Sequence, residues 1–384
     1  VAEEKDSDSM KVYRLGILGL GMIGRVHAYS ASTLPFYYDL PFGVKLAGIY
    51  NRTYEKAQHA VETMGFEFAA RTPEELITRD DIDAICLCLP NHQHEKYAVM
   101  TLEAGKHLYC EKPIATSYEE ALRIQEAADK SGKVAQMVFN NRHFPAVMRA
   151  KQLMDEGRLG RLLSFQVMYN HSSNIDPGKA ATWRFSQEFS GTGTLADMGS
   201  HAIDLLCYLA GPIERLSATM QTAIPQRPDG KGGMADVLVD DAAYMMAQLK
   251  NGAMGTITAS KLATGTNDEM DIKLFGEKGA LHFNADYPGA LDFYDNTDPD
   301  GAYGGSRGFK AIESVQRYEK PGGAMPAPKL AIGWLRAHVH SLYTFFNCVH
   351  TGAAPSPSIA EGVYNQYVLD KAVESAKAGT WVTL

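Results

Sequence analysis

In the stretch TGTLADMGSHAIDLLCYLAG, from Thr192 to Gly211, three ionisable side chains recur at helical spacing. Asp197, His201 and Asp204 stand at i, i+4 and i+7. On an α-helix the second and third therefore lie about 40° and about −20° around the axis from the first. The three share one stripe, while Leu205, Leu206 and Leu209 are free to face a core. An imidazole one turn from a carboxylate can be oriented and tuned by it, as a general base near neutral pH requires. The plainer alternative is a surface histidine with ordinary i,i+4 neighbours. The preceding loop, SGTG, and the upstream TWRF add groups typical of a pocket wall, Trp183 and Arg184.

A second constellation lies near the amino terminus. In YRLGILGLGMIGRVH, Tyr13 to His27, Gly19, Gly21 and Gly24 are spaced G-x-G-x-x-G. The chain has 35 glycines, so the spacing alone is weak. Its context is specific: an apolar run from Leu15 to Leu18 that fits a buried strand, then a helix start with Met22, Ile23 and Val26 apolar. Gly19 then permits the tight turn, Gly21 lets backbone approach a pyrophosphate, and Gly24 lets the helix lie close to the strand. Free N–H groups at the helix start, around Met22 and Ile23, favour the phosphates.

Open parallel sheets bind ligands beyond the carboxyl ends of their strands, so residues just after each strand are the next candidates. After the second strand stand Asn51 and Arg52. An NAD site usually carries an acidic residue there, and an arginine accommodates the 2′-phosphate of NADP; Arg52 therefore tilts the reading modestly toward NADP. In PNHQH, Asn91 and His94 are candidates for the cofactor's ribose or diphosphate, while His92 fits solvent equally well. Glu111-Lys112-Pro113 follows another strand. A lysine placed beside a nicotinamide can polarise or deprotonate a hydroxyl, because its pKa falls readily on desolvation or beside another cation.

These groups need a frame. From residue 12 to 140, strand and helix patterns alternate, which implies a parallel, doubly wound sheet. Thr72 as cap with Pro73 marks one helix start, and Ser117 with Glu120 three later, a capping box, marks another. Phe36-Tyr37-Tyr38 belongs to an aromatic, proline-punctuated insert, Ser32 to Gly43, that lines an entrance or pads the fold. Beyond residue 140 strands follow one another, with hairpins turning at Asn251-Gly252 and around Glu277-Lys278. Asp286 to Ala327 fits a long loop, and helices over about Trp334 to Cys348 and Ile359 to Ala378 close the chain. The expected fold is an α/β Rossmann domain followed by an α+β domain with a large open, mostly antiparallel sheet. Its division is a disordered tail at 1–10, a dinucleotide-binding domain at 11–140, and a substrate-binding and oligomerisation domain at 141–384 whose last helix packs back on the first.

Composition narrows the class. The 384 residues are 45% hydrophobic and 21% charged, with a formal net charge of −8 and no dense Lys/Arg stripe, which argues against nucleic acid as a partner. No apolar run reaches the roughly 18 residues of a membrane span. VAEEKDSDS at the amino terminus lacks the apolar core of an intact signal peptide. Cys86 and Cys88 alternate on one apparent strand, too far apart for an ordinary disulfide. Without a companion pair they make a poor zinc pattern, and His92-x-His94 and His338-x-His340 also lack partners, so no metal is expected. Reduced thiols fit the cytoplasm.

Four motifs in order, GILGLGMIG, CEKPIATSYEEA, TWRF and GTGTLADMGSHAIDLL, resemble the Gfo/Idh/MocA family of sugar oxidoreductases over essentially the whole chain. The resemblance implies a catalytic group of Lys112, Asp197 and His201, with Lys112 beside substrate and nicotinamide, His201 as acid/base and Asp197 orienting it. It implies a substrate-hydroxyl role for Asp204, and positions near nicotinamide or substrate for Glu111, Arg142, Trp183 and Arg184. The implied cofactor is NAD or NADP, and the implied assembly is a homodimer or homotetramer through the second-domain sheet. The expected reaction is hydride transfer between a secondary hydroxyl of a sugar, polyol or glycoside and the nicotinamide, with Lys112 and His201 as acid/base pair. Two other classes use the same fold: a glycosidase that retains NAD and cleaves by transient oxidation and elimination, and a non-catalytic sugar sensor.

Overall fold

A computed structural model describes residues 10–384; the tail expected at 1–10 lies, apart from Met10, outside the described residues. The first half alternates β1 (Lys11–Leu18), α1 (Met22–Tyr37), β2 (Phe42–Tyr50), α2 (Tyr54–Met64), β3 (Phe68–Ala70), α3 (Pro73–Ile77), β4 (Ala84–Leu87), α4 (His94–Glu103), β5 (His107–Cys110), α5 (Tyr118–Ser131) and β6 (Ala135–Met137). All five strand pairings are parallel, in the order β3-β2-β1-β4-β5-β6. The strand order reverses at β1 and β4, the switch point at which open α/β sheets bind ligands, in the crevice outside the strands' carboxyl ends. β4, covered on both faces, is buried throughout, as its unbroken AICL requires.

Local chemistry sets the helix starts. The Thr72 hydroxyl accepts the Glu75 N–H at 3.1 Å with Pro73 in the first turn, and Ser117 accepts the Glu120 N–H at 3.3 Å. Glu120 does not close a box on Ser117; its carboxylate accepts from the backbone and hydroxyl of Thr116 instead.

The second half runs α6 (Pro145–Asp155), β7 (Leu162–Asn170), α7 (Gln187–Ser190), α8 (Ser200–Ala210), β8 (Ile213–Gln221), β9 (Gln226–Pro228), β10 (Met234–Asp236), β11 (Ala242–Leu249), β12 (Met254–Ser260), β13 (Glu269–Gly276), β14 (Gly279–Asn284), β15 (Ala290–Asp295), β16 (Lys310–Glu313), α9 (Trp334–Thr351), α10 (Ile359–Ala378) and β17 (Val382–Thr383). Nine strands form one sheet in the order β16-β15-β14-β13-β7-β12-β11-β8-β17, antiparallel except where β12 meets β7. Residues alternate across it: Phe165, Val167 and Tyr169 of β7 face a core shared with α6, α8 and α10. Leu163, Tyr244, Met246 and Met254 are exposed. The expected loop over residues 286–327 contains β15 and β16, whose short alternation (Leu291 and Phe293 inward) is masked by flanking Gly and Pro.

The first half of the aromatic insert is helical. α1 continues to Tyr37 with Pro35 in its last turns. Tyr38 is buried, stacks on Tyr343 at 4.2 Å and meets His340 Nδ1 at 2.8 Å, while its hydroxyl accepts from Arg336 at 2.5 Å. α9 thereby docks on the parallel sheet. Its Val339, Leu342, Phe345 and Phe346 share one apolar core with Leu15, Ile17 and Ile49, each such buried side chain contributing about 1.5–3 kcal/mol. Among the described residues no helix is long and apolar enough to cross a membrane.

Candidate active site

The three glycines occupy three different environments. Gly19, at φ +104°, donates its N–H to Tyr50 O at 2.8 Å and packs so closely that a Cβ would lie 2.6 Å from the Cys88 carbonyl oxygen. A Cβ on Gly24 would lie 2.0 Å from Gly19 O, so only glycine lets α1 approach the turn. A Cβ on Gly21 would meet nothing within 4 Å. Gly21 is exposed and begins α1, with Met22 exposed and Ile23 half-buried behind it, so uncapped N–H groups face open space. That cradle fits a dinucleotide's pyrophosphate. Asn51 accepts from the Leu20 N–H at 3.4 Å and donates to Thr53 O at 2.9 Å, bracing the turn, and Arg52 beside it is exposed.

Across the crevice, Lys112 leaves the end of β5 and donates to Asp197, at 2.7 Å to the backbone carbonyl and 2.9 Å to Oδ1. One contact thus joins the parallel sheet to the second half of the chain. The segment bearing Lys112 is fixed by Glu111, whose carboxylate meets His27 Nε2 at 2.7 Å and accepts the Lys112 N–H at 3.1 Å. On the other side, Leu195–Gly199 winds as a π turn immediately before α8. A buried carboxylate, Asp240, accepts the N–H groups of Gly193 at 2.8 Å and Leu195 at 2.7 Å and so anchors that turn. A Cβ on Gly193 would fall 2.0 Å from Asp240 O, which explains the glycine in SGTG.

Asp197 does not hydrogen-bond His201, contrary to the expectation from their spacing. Its second oxygen instead accepts from Lys261, just past β12, at 2.5 Å. Burial works against the charge of Asp197, but Lys112, then Lys261 and Arg184, outweigh it and hold the carboxyl well below its ordinary range. A third of the side chain remains open, and the bridge is thus a partly wetted one. His201 is buried and set edge-on to Tyr169 and Phe139, at 5.8 and 6.1 Å between centroids. Burial, and then the ammonium of Lys112, push its pKa well below 6.5 against the pull of Asp197, so at neutral pH the imidazole is uncharged. Its Nδ1 is buried without a protein partner. A neutral imidazole and a lysine held by a carboxylate, within electrostatic reach of each other, can exchange a proton with a hydroxyl between them.

Other expected site residues take different parts. Both His94 ring nitrogens face backbone carbonyls, Pro113 at 2.9 Å and Leu89 at 2.8 Å, so it clamps two strand-end turns and cannot also hold a ribose. Asn91 donates to Ser190 O at 3.0 Å and is buried, tying α7 to the turn after β4. Glu111 meets His27 and accepts the Lys112 N–H. Arg142 and Asp204 form a buried bidentate pair at 2.8 and 2.5 Å, and Arg142 also reaches Glu361 at 2.5 Å. These contacts occupy the Arg142 guanidinium and much of the Asp204 carboxylate. They give no support to the substrate-hydroxyl role implied for Asp204 or to the place beside nicotinamide or substrate implied for Arg142. Trp183 is half-buried under the exposed Arg184, whose guanidinium lies 4.5 Å from its ring centre. Lys261 and Asp240 were not expected. Lys261 directly follows β12 and Asp240 just precedes β11, in a region where alternation alone reveals no ligand, and only the fold brings them to the turn before α8.

The site is that of an oxidoreductase with a dinucleotide-binding Rossmann half, and the comparisons agree. Residues 13–139 match the oxidoreductase family with an NAD-binding Rossmann fold, and residues 147–282 match the GFO/IDH/MocA C-terminal domain. Levoglucosan dehydrogenase of Pseudarthrobacter phenanthrenivorans is 31% identical over 97% of this chain and 98% of its own. Glucose-6-phosphate 3-dehydrogenase of Bacillus subtilis is 32% identical over 72% of this chain and 75% of its own. A solved levoglucosan dehydrogenase complex with NADH and L-sorbose superposes with a TM-score of 0.93 at 32% identity, covering 97% of this chain and 99% of that one. An oxidoreductase domain protein from Kribbella flavida gives 0.92 at 28% identity, with 97% and 99% covered. The chain belongs to the Gfo/Idh/MocA family. It is a dehydrogenase or reductase acting on CH–OH groups.

Proposed function

We propose that the protein oxidises a secondary hydroxyl of a cyclic sugar or sugar derivative, reversibly, with NAD. The observation that carries this reading is the Lys112–Asp197 bridge beside the neutral His201, opposite the glycine cradle. Sugar dehydrogenases among the relatives, and the NADH and sugar in their solved complexes, support the substrate class. The two-electron chemistry comes from a bound nicotinamide, which takes up or gives back a hydride. His201 accepts the hydroxyl proton as the carbonyl forms, and returns it in the reductive direction. Lys112 stabilises the developing alkoxide as a hydrogen-bond donor. Asp197 is a positioning residue for Lys112, with Lys261 as its second cation. Gly19, Gly21, Gly24 and the first turn of α1 at Met22 and Ile23 hold the pyrophosphate.

Arg52, exposed just beyond β2, supplies a cation for a 2′-phosphate, so we read the site as accepting NADP beside NAD. The exposed apolar face at Leu163, Tyr244, Met246 and Met254 supports sheet-to-sheet pairing of two copies. The decisive experiment is Lys112→Ala and His201→Ala, assayed on a sugar and glycoside panel by nicotinamide absorbance. Turnover falls by about 10²-fold or more in each while NADH still binds. Near-normal turnover in both variants overturns the assignment, and aglycone release without net NADH redirects it to glycoside cleavage.

A further inference from the structure

At the carboxyl end of β4 two thiols lie against a histidine that arrives from α1. Cys86 Sγ and Cys88 Sγ are 3.4 Å apart, and with a ring nitrogen of His27 they lie within 4.8 Å of one another. The closeness of the thiols follows from the strand ending at Leu87: Cys88 leaves the pleat, so the separation expected of alternate strand residues does not apply. Both cysteines are free.

His27 is held from behind. Its Nε2 faces Glu111 Oε1 at 2.7 Å, its ring sits edge-on to Tyr109 at 5.2 Å, and its Nδ1 is fully buried with no protein partner. A carboxylate on one ring nitrogen and an unused one on the other is how outer-shell carboxylates prepare an imidazole for a metal. Two sulfurs and one imidazole form a soft donor set, which suits zinc or copper(I) and not calcium or magnesium. A cation about 2.3 Å from each sulfur would hold the sulfurs nearly 4 Å apart, an opening of only a few tenths of an ångström from the present separation. Cys88 is half-buried and gives the entry.

We propose that His27 Nδ1, Cys86 Sγ and Cys88 Sγ bind a thiophilic d10 cation, with Glu111 as the outer-shell carboxylate. The ion ties the Gly19 turn, which rests on the Cys88 carbonyl, to the strand end that carries Lys112. It does so without touching the hydroxyl chemistry.

The test is a titration of the reduced, NADH-loaded enzyme with Cd²⁺, following the cadmium–thiolate charge-transfer absorbance, with metal counted after gel filtration. A single ion per chain is expected, with Zn²⁺ competing and raising the melting temperature. Cys88→Ser abolishes the band, His27→Gln weakens binding at least about tenfold, and Cys348→Ser leaves both unchanged. Cys86 is fully buried, so the decision rests on Cys88→Ser, whose metal-free circular dichroism and melting are compared with the parent's. A plain pair of hydrogen-bonded core thiols gives no stoichiometric band, or a band that survives Cys88→Ser. Either result overturns the site.

Discussion

Lys261 Nζ lies 2.5 Å from Asp197 Oδ2, on the oxygen opposite the one that Lys112 takes. One carboxylate therefore bridges two ammonium groups that would otherwise repel each other beside the imidazole, and leaves one net positive charge there. Asp197→Asn is expected to lower kcat by about 10²-fold, since it removes the one negative charge that both lysines share. Lys261→Met costs less, roughly tenfold, because the charged Asp197 carboxylate still holds Lys112. Steady-state kinetics with parallel NADH titrations check both; equal losses in the two variants contradict the positioning role.

The same electrostatics set a pH dependence. His201 must be uncharged to accept a proton, and its pKa is pushed well below 6.5 by burial and then by Lys112. The acidic limb of kcat/KM for oxidation therefore lies well below pH 6.5. In the residual activity of Lys112→Met, one lowering influence is gone and the limb moves to higher pH. A limb at or above 6.5 in the parent enzyme rejects His201 as the base.

Gly21 and Gly24 separate binding from folding. Gly24→Ala places a Cβ 2.0 Å from Gly19 O and is expected to destabilise by about 1–3 kcal/mol. Gly21→Ala meets no protein atom and its φ is −74°, so stability stays within about 0.5 kcal/mol while NADH affinity falls. Urea denaturation and fluorescence titration of the two variants distinguish these outcomes.

The Arg142–Asp204 pair is expected to matter for stability. Arg142→Met leaves a buried carboxylate uncompensated and costs about 3–5 kcal/mol. KM of the protein that remains folded moves little. A large KM change at unaltered stability restores the substrate-binding role.

His107 supplies an acid-sensitive step. Burial first, and then the charge of Lys133, lower its pKa to about 4, and its Nδ1 accepts the Val134 N–H at 3.0 Å only while unprotonated. Below its unfolded value of about 6.5 the unfolded chain binds the extra proton. This contribution is therefore complete above pH 6.5 and is lost as pH falls toward 4. His107→Gln, which keeps an acceptor, flattens the stability curve in that window, as chemical denaturation at several pH values will show.

Local signals carried the frame well. Gly19, Gly21 and Gly24 between an apolar strand and a helix, the caps at Thr72 and Ser117, and the Asn251-Gly252 hairpin are all contiguous patterns with one physical reading each. Lys112 and His201 stand out as candidates for the same reason, one at a strand end and one on a helical stripe. What stayed hidden depends on approach between distant segments. The spacing of Asp197 and His201 suggested a mutual bond, but no residue count reveals that Lys261 and Lys112 compete for the carboxylate. His94 and Asp204 carry the right groups, yet backbone carbonyls and Arg142 consume them. The thiols of Cys86 and Cys88 acquire a companion only because α1 brings His27 across β4.

The docking of α9 has a consequence for biosynthesis. Tyr109 donates to Ser341, Gln136 to the Ser341 carbonyl, and Phe345 and Phe346 complete the interior beneath β1. A nascent chain that has emerged only as far as β6 lacks that filling, so the nucleotide half is left waiting, with an open hydrophobic flank, until α9 follows at Trp334. Chaperone engagement during translation, and failure of a truncated Rossmann fragment to accumulate in soluble form, are the expected cellular costs.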